Sequence, residues 1–167
     1  SLNKEIVLKR LKPLLEDSSI KKIGQNIKFD FIVLFKHGIN ISSMEDTMLM
    51  SYVLDCGKNR HNMDTLSEIH LGHKTIAFKD LVGSGKKEIN FSEVNIEKAK
   101  DYAAEDADIT YRLYKKFSKS LKDEKMISIY ELFEKPMIKI LAFMEIEGIK
   151  IDNKFLKILS SKFEKKN

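Results

Sequence analysis

The chain has 167 residues, of which 43% are hydrophobic and 33% are charged, and it carries a formal net charge of +5. This length fits one domain or a domain followed by the start of a second, and no stretch approaches the eighteen apolar residues of a membrane span. The single cysteine, Cys56, excludes an internal disulfide and is typical of the cytoplasm. The positive charge is compatible with a nucleic-acid partner. Because the first residue is Ser1 rather than methionine, we expect a piece of a longer protein.

The first third of the chain predicts a parallel strand–helix–strand unit. Apolar spacing and turn residues indicate helices over 5–15, 26–37 and 46–54, with short strands at 20–23 and 39–44. Asn26 is placed to cap the second helix, and Gly38 is placed to end it. The order of these elements favours an α/β fold.

The remainder of the chain predicts helices joined by short loops. The helices are expected at 63–71, 78–82, 94–121 and 137–147, with a last one beginning after Asp152. Pro136 is tolerated at a first helical turn, and Gly148 is a helix stop. A boundary between two parts of a larger protein is expected near 122–134.

Asp106 lies in the middle of the apolar face of the predicted 94–121 helix. With an advance of about 100° per residue, mostly apolar residues fall on its side: Ala99, Tyr102, Ala103, Ile109, Thr110, Leu113 and Phe117. The neighbouring Glu105 and Asp108 fall on other sides and receive no catalytic role. A buried carboxylate requires a partner, which is either a neighbouring polar group or a metal ion.

Asp30 repeats this pattern on the preceding 26–37 helix, beside Ile27, Val33 and Leu34. Asn26 lies one turn before it, as Tyr102 lies one turn before Asp106. Carboxylates on the core-facing sides of two separate helices indicate a Mg²⁺ site, because hard cations take oxygen ligands. Two such ions can support phosphodiester cleavage.

Several segments resemble the 3′-5′ proofreading exonuclease domain of family A DNA polymerases. Residues 24–30 (GQNIKFD) resemble its second motif, and residues 102–108 (YAAEDAD) resemble its third motif in the form with a tyrosine four residues before the aspartate. Residues 46–49, 60–66 and 73–78 also resemble that domain. Residues 134–137 and 147–152 resemble the start of the polymerase domain, so the resemblance implies an exonuclease part at 1–122 and a polymerase part at 123–167.

The resemblance also implies roles for individual residues. Asp106 and Asp30 would be metal ligands and, with Tyr102, would form the catalytic group, with two Mg²⁺, Mn²⁺ or Zn²⁺ ions in the intact domain. Tyr102 would position the attacking water. The residues expected to bind the DNA strand are Asn26, Phe78, Gln25, Phe29 and Arg60.

The family's first motif, Asp-x-Glu, does not occur in this sequence. The resemblance places it on a strand before Ser1, so two of four carboxylates would be present, and we expect little or no activity and weak or absent metal binding from the chain alone. The expected fold is a truncated ribonuclease H-like α/β fold, mostly helical, with a remnant parallel sheet. Its open strand edge would favour self-association.

Three other interpretations stay open on the sequence. The chain could be an exonuclease-like module without chemistry of its own, serving as a structural or DNA-binding part of a polymerase. It could belong to a ribonuclease D-like enzyme, since the two exonuclease motifs alone allow that. A zinc site from Cys56, His61, His70 and His73 has the weakest support, because only His70 and His73 show ligand-like spacing.

Overall fold

The described part of the protein is mostly helical and contains a two-stranded sheet. The structure is a computed structural model that describes residues 3–85 and 88–164. Its elements in chain order are α1 (Lys4–Glu16), β1 (Lys22–Gly24), α2 (Ile27–Phe35), β2 (Met44–Asp46), α3 (Thr47–Asp55), α4 (Met63–Leu71), α5 (Phe78–Val82), a 3₁₀ turn (Phe91–Glu93), α6 (Ile96–Asp123), α7 (Ile127–Ile129), a π-helical turn (Tyr130–Glu134), α8 (Lys135–Glu147) and α9 (Asn153–Glu164).

The two strands pair in parallel, as the sequence predicts, with Lys22 opposite Met44 and Gly24 opposite Asp46. The second strand was predicted at 39–44, and this position is wrong. Ile39 and Ile41 are buried, but the backbone around them bonds to the end of α1 instead of to a strand: the N–H of Ser42 donates to the Leu15 carbonyl at 3.1 Å. The strand therefore begins only at Met44.

Asp46 joins the sheet to two helices. Its Oδ1 accepts hydrogen bonds from the N–H groups of Asn26 and Met48, at 3.0 and 2.9 Å, and its Oδ2 accepts one from Ile27 at 3.0 Å. One carboxylate thus caps both α2 and α3. Asn26 occupies the N-cap position of α2, as predicted, but it adopts a left-handed conformation (φ 59°) and its side chain makes no capping bond.

The larger core forms where α6 packs against α3 and α4. It contains Met50, Leu66, Ile109, Leu113, Phe117, Leu121 and Tyr130, all almost fully buried. Only the second half of α6 takes part. The earlier part of its apolar face stays half-buried or open, and Ala103 is exposed. This arrangement leaves Asp106 at the border between the core and the surface.

A second core joins α2 to α8. Ile27 and Phe31 of α2 pack with Ile138 and Ala142 of α8, with Ile41 before β2 and with Met44 of β2. The ring of Phe143 meets Phe31 edge-on with 5.8 Å between centroids. Segment 123–147 is therefore packed on the helix that carries Asp30, although the division into domains at residue 122 stays a prediction.

The two terminal helices, α1 and α9, contain no buried residue. Among the residues that the structure describes, no helix has both the length and the apolar character to cross a membrane.

Candidate active site

Asp30 and Asp106 face one cavity between α2, β1 and α6. The cavity has a volume of about 550 Å³, and its lining also includes Gly24, Gln25 and Lys21. The structure thus brings together the two carboxylates that the sequence singled out on separate helices. They are not core residues, however, because Asp30 is exposed and Asp106 is half-buried.

Asp106 has an incomplete set of partners. Its Oδ1 atom is buried and has no hydrogen bond. Burial raises the pKa of the Asp106 carboxyl, a hydrogen bond from Tyr102 acts in the opposite direction, and the charges of Glu105 and Asp64 raise it further. An orphaned, partly desolvated carboxylate oxygen is the feature expected where a cation binds.

Tyr102 lies one helical turn before Asp106 and interacts with its carboxylate. Burial raises the pKa of the Tyr102 phenol to about 12, with further contributions from the charge of Asp106 and the hydrogen bond to it. The phenol therefore keeps its proton at neutral pH and can donate a hydrogen bond.

The carboxyl of Asp30 has different surroundings from that of Asp106. Partial burial raises the pKa of the Asp30 carboxyl, and a backbone hydrogen bond lowers it in part. No side chain within residues 3–85 and 88–164 forms a hydrogen bond or ion pair with Asp30. Its carboxylate is free to take a ligand from the cavity.

Glu105 has a structural role that the sequence did not reveal. Its Oε1 lies 2.7 Å from His73 Nε2, and its Oε2 accepts a hydrogen bond from the Ile76 N–H at 2.6 Å. Burial raises the pKa of Glu105, but the bonds from Ile76 and His73 outweigh it, and the pKa lies below its usual value. Glu105 thereby fixes the segment before α5 on α6, next to Asp106.

This attachment places Phe78 beside the carboxylates. The Phe78 ring is 49% exposed, and its centroid lies 6.0 Å from that of Tyr102. Phe91 stacks on Phe78 with 5.8 Å between centroids and 22° between the ring planes. An exposed aromatic surface therefore adjoins the candidate site, and Phe91 is a member of it that the sequence analysis missed.

The other predicted substrate-binding residues occupy different environments. Gln25 lines the cavity, but its amide donates to the His61 carbonyl at 2.7 Å and accepts a bond from Thr47. Asn26 and Phe29 are exposed beside Asp30, with the Phe29 ring 65% exposed. Arg60 is exposed and makes no ion pair with any residue of the two described segments. The binding roles of these residues stay predictions.

The residues of the alternative zinc site lie in separate contacts. His61 Nδ1 is 2.9 Å from the Ser51 hydroxyl, His70 packs edge-on against Phe117, and His73 binds Glu105. In segments 3–85 and 88–164, no three His, Cys, Asp or Glu side chains are grouped to hold a metal ion. The structure therefore gives no support to a zinc site.

The ligand atoms that line the cavity are oxygens, the type that binds a hard divalent ion. The carboxylates of Asp30 and Asp106, including the unpaired Oδ1 atom of Asp106, supply oxygen ligands, which Mg²⁺ prefers. Two carboxylates are fewer than a tight site requires, so further ligands have to come from water, substrate or additional protein residues.

Comparison with known proteins gives a consistent result. A family model described as 3′-5′ exonuclease matches residues 1–122. The chain is 48% identical to DNA polymerase I of Rhizobium leguminosarum and 40% identical to DNA polymerase I of Pseudomonas aeruginosa, over 92% and 99% of its length. It is 30% identical, over 90% of its length, to DNA polymerase I A, chloroplastic/mitochondrial, of Arabidopsis thaliana.

These alignments cover only 15%, 18% and 18% of the respective relatives, so the chain spans less than a fifth of each. The family match and the motifs around Asp30 and Asp106 fall in the same 122 residues. The chain therefore belongs to the 3′-5′ exonuclease family that forms part of DNA polymerase I.

Proposed function

We propose that the protein serves as the proofreading 3′-5′ exonuclease part of a DNA polymerase I-like enzyme, removing nucleotides from the 3′ ends of DNA in replication and repair. The observation that carries this proposal is the shared cavity of Asp30 and Asp106, with the buried, unpaired Oδ1 of Asp106 beside the Tyr102 hydroxyl. The family match and the names of the relatives support DNA, rather than RNA, as the substrate.

In this proposal the carboxylates hold divalent ions, Mg²⁺ or Mn²⁺. Asp106 would hold the ion nearest the attacking water, and Asp30 would help to hold a second. When bound, such ions polarise water and the oxygens of the scissile phosphate. The protein's own contribution is orientation, since Tyr102 stays protonated and its hydroxyl can direct a hydrogen bond to the attacking water.

The strand would bind along the exposed residues around the cavity. Phe78 offers a flat, exposed ring for stacking of a terminal base, which is independent of sequence because every base has a π-face. Phe29, Asn26, Gln25 and Arg60 would contact the strand near Asp30. The net charge of +5 favours a phosphate backbone.

The fold proposed for the intact domain is ribonuclease H-like. Within the described residues, β1 pairs only with β2, and the cavities of about 550 and 280 Å³ that flank Ile23, Gly24 and Asp30 are open. A strand bearing Asp-x-Glu could pair with β1 and bring its carboxylates to this cavity. Because no Asp-x-Glu occurs in the sequence, we expect the chain alone to be inactive.

The test uses this chain joined to a preceding segment that carries Asp-x-Glu, with degradation of 3′-labelled single-stranded DNA as the measurement. Asp106→Ala should reduce degradation to background, and Tyr102→Phe should slow it by roughly ten- to a hundredfold, because it removes one positioning hydroxyl. Asp108→Ala is the matched control on the same helix, since Asp108 is 62% exposed and pairs only weakly with Arg112.

Undiminished degradation by the Asp106→Ala protein would refute the proposed site. Tight binding of single-stranded DNA without any degradation would favour the non-catalytic module instead. Faster degradation of RNA than of DNA of the same sequence would favour a ribonuclease D-like activity.

The open edge of β1 also supports a proposal about association. An unpaired strand edge invites pairing with another chain, so we expect the chain to dimerise through β1. Sedimentation of the chain at high concentration tests this, and a monomer throughout would contradict it. The cytoplasm is the proposed location, on the basis of the single cysteine.

A further inference from the structure

Phe78, Phe91 and Tyr102 form a triangle of rings beside Asp106. The centroids are 5.8 Å apart for Phe78 and Phe91, 6.0 Å for Phe78 and Tyr102, and 6.2 Å for Phe91 and Tyr102. Phe91 lies nearly parallel to Phe78 and at 62° to Tyr102. Offset-stacked and edge-on pairs at these separations are the favourable arrangements for aromatic side chains.

Phe78 by itself is poorly fixed. It is the first residue of α5, which has only five residues, and a helix this short has little stability without packing. Its ring is about half exposed, and the attachment of Ile76 to Glu105 constrains the backbone before it but not the ring. The direction in which the ring faces therefore depends on its aromatic neighbours.

Phe91, in contrast, is fixed locally. A capping box holds its 3₁₀ turn, in which the Asn90 N–H donates to Glu93 Oε2 at 2.9 Å. The N–H of Ile89 donates to the Val82 carbonyl at 2.9 Å, which ties this segment to the end of α5. The Val82 side chain is buried, so both aromatic segments share one anchor.

The cluster is not part of either core. Phe91 is 42% exposed and Phe78 is 49% exposed, and neither belongs to the two groups of buried residues. Aliphatic side chains would cover this part of α6 equally well. Two stacked rings left half open beside a carboxylate site are instead suited to receive another flat ring.

We propose that Phe91 is a positioning residue for DNA: it stacks against Phe78 and holds that ring in the orientation that receives the terminal base of a single-stranded 3′ end. This inference rests on the proposed function and adds a residue to it. Because Phe91 also contacts Tyr102, one side chain sets both the base-stacking ring and the phenol beside Asp106.

The experiment measures binding of the chain to 5′-fluorescein-labelled oligothymidylate by fluorescence anisotropy in EDTA, where no cleavage occurs. A second probe has the same length but lacks the two bases at its 3′ end. Phe91→Leu should weaken binding of the complete probe by about fivefold or more, as expected for the loss of one stacked base, and should leave binding of the abasic probe unchanged.

Three further variants separate positioning from folding. Phe91→Tyr keeps a ring and should restore binding. Phe91→Leu combined with Phe78→Leu should bind like Phe78→Leu alone, because Phe91 acts through Phe78. Phe133→Leu is the matched control, since Phe133 is 66% exposed and makes no aromatic contact with the described residues.

Equal losses on both probes, or additive losses in the double variant, would overturn the role of Phe91. The role of Phe91 would also be overturned if Phe78→Leu no longer distinguished the two probes while Phe91→Leu still did. The proposed function would stand in that case. Failure of the unmodified chain to distinguish the two probes would instead count against stacking at Phe78, and with it against both proposals.

Discussion

The hydroxyl of Tyr130 accepts a hydrogen bond from the Asp46 N–H at 3.0 Å and donates one to Glu45 Oε2 at 3.0 Å. Tyr130 begins the π-helical turn that leads into α8, and Asp46 caps the helix that carries Asp30. Lys135 Nζ bonds to the other oxygen of Glu45 at 2.8 Å. This buried network connects the strand pair beside the candidate site to the segment after residue 122.

Tyr130→Phe tests the strength of this connection. The substitution removes one hydroxyl and leaves the Asp46 N–H and one Glu45 oxygen without a partner in a buried place. Each unsatisfied buried group costs about 1–3 kcal/mol, so the free energy of unfolding should fall by at least the cost of one such group. Urea unfolding followed by circular dichroism measures it. Tyr111→Phe is the control, because Tyr111 is 52% exposed and should change stability little; equal losses in both variants would contradict the role of the network.

Helix positions were predictable where local signals are strong. The helices at 63–71 and 78–82 begin and end where the sequence predicts, because Gly72 and Gly83 follow them with positive φ values that other residues rarely adopt. The second strand was not predictable, since Ile39 and Ile41 alternate like strand residues, while the Ile39 N–H bonds to Leu34 of α2 and the Ser42 N–H bonds to Leu15 of α1. Such pairing choices depend on tertiary contacts that periodicity does not encode.

His70 provides a pH-dependent prediction. Burial lowers the pKa of His70, and the charge of Lys116 lowers it further, so the folded protein binds a proton less readily than the unfolded chain. The contribution of neutral His70 to the free energy of unfolding is fully present above the usual histidine pKa of about 6.5. It is lost as the pH falls through the lower pKa that His70 has in the folded protein.

His70→Asn should therefore reduce the loss of unfolding free energy between pH 7 and pH 5. The difference from the unmodified chain should be less than about 1 kcal/mol, because the side chain is only half-buried and solvent screens it. Parallel urea titrations at the two pH values measure this, and the unchanged loss in the variant would show that other groups cause it.

The candidate site was predictable in part, for a physical reason. A carboxylate among apolar residues on a helix is conspicuous, and this marked Asp30 and Asp106. Neither the stacking of Phe91 on Phe78 nor the bonds of Glu105 to His73 and Ile76 has a comparable signal in the sequence. Residues 78, 91 and 102 follow no helical or strand period, and their rings meet only after α5 and the 3₁₀ turn fold back onto α6.

Metal binding by the chain should be weak. Asp30 and Asp106 offer two carboxylates, whereas Mg²⁺ requires octahedral geometry and keeps most of its waters unless several ligands converge. Isothermal titration with Mg²⁺ or Mn²⁺ should give no tight stoichiometric binding. Any weak heat should disappear in Asp106→Asn and persist in Asp108→Asn. Tight binding at one or two ions per chain would contradict the expectation that further carboxylates are needed.

The packing of α8 on α2 predicts how the chain responds to shortening. A chain of residues 1–122 would lose Tyr130, Ile138 and Ala142 from the two cores, and Phe31, which is fully buried in the structure, would be exposed. Each large buried side chain contributes roughly 1.5–3 kcal/mol, and domains of this size have only about 5–15 kcal/mol in total.

We therefore expect residues 1–122 to be largely unfolded even though the family match ends there. Residues 1–148 are the control, because that chain keeps α8 and loses only α9, which contains no buried residue. Its urea midpoint should match that of the full chain. Far-ultraviolet circular dichroism and urea unfolding compare the three chains. Cooperative unfolding of residues 1–122 at the midpoint of the full chain would show that α8 is dispensable for the folding of the site, and that Asp30 and Asp106 are held in place by the first 122 residues alone.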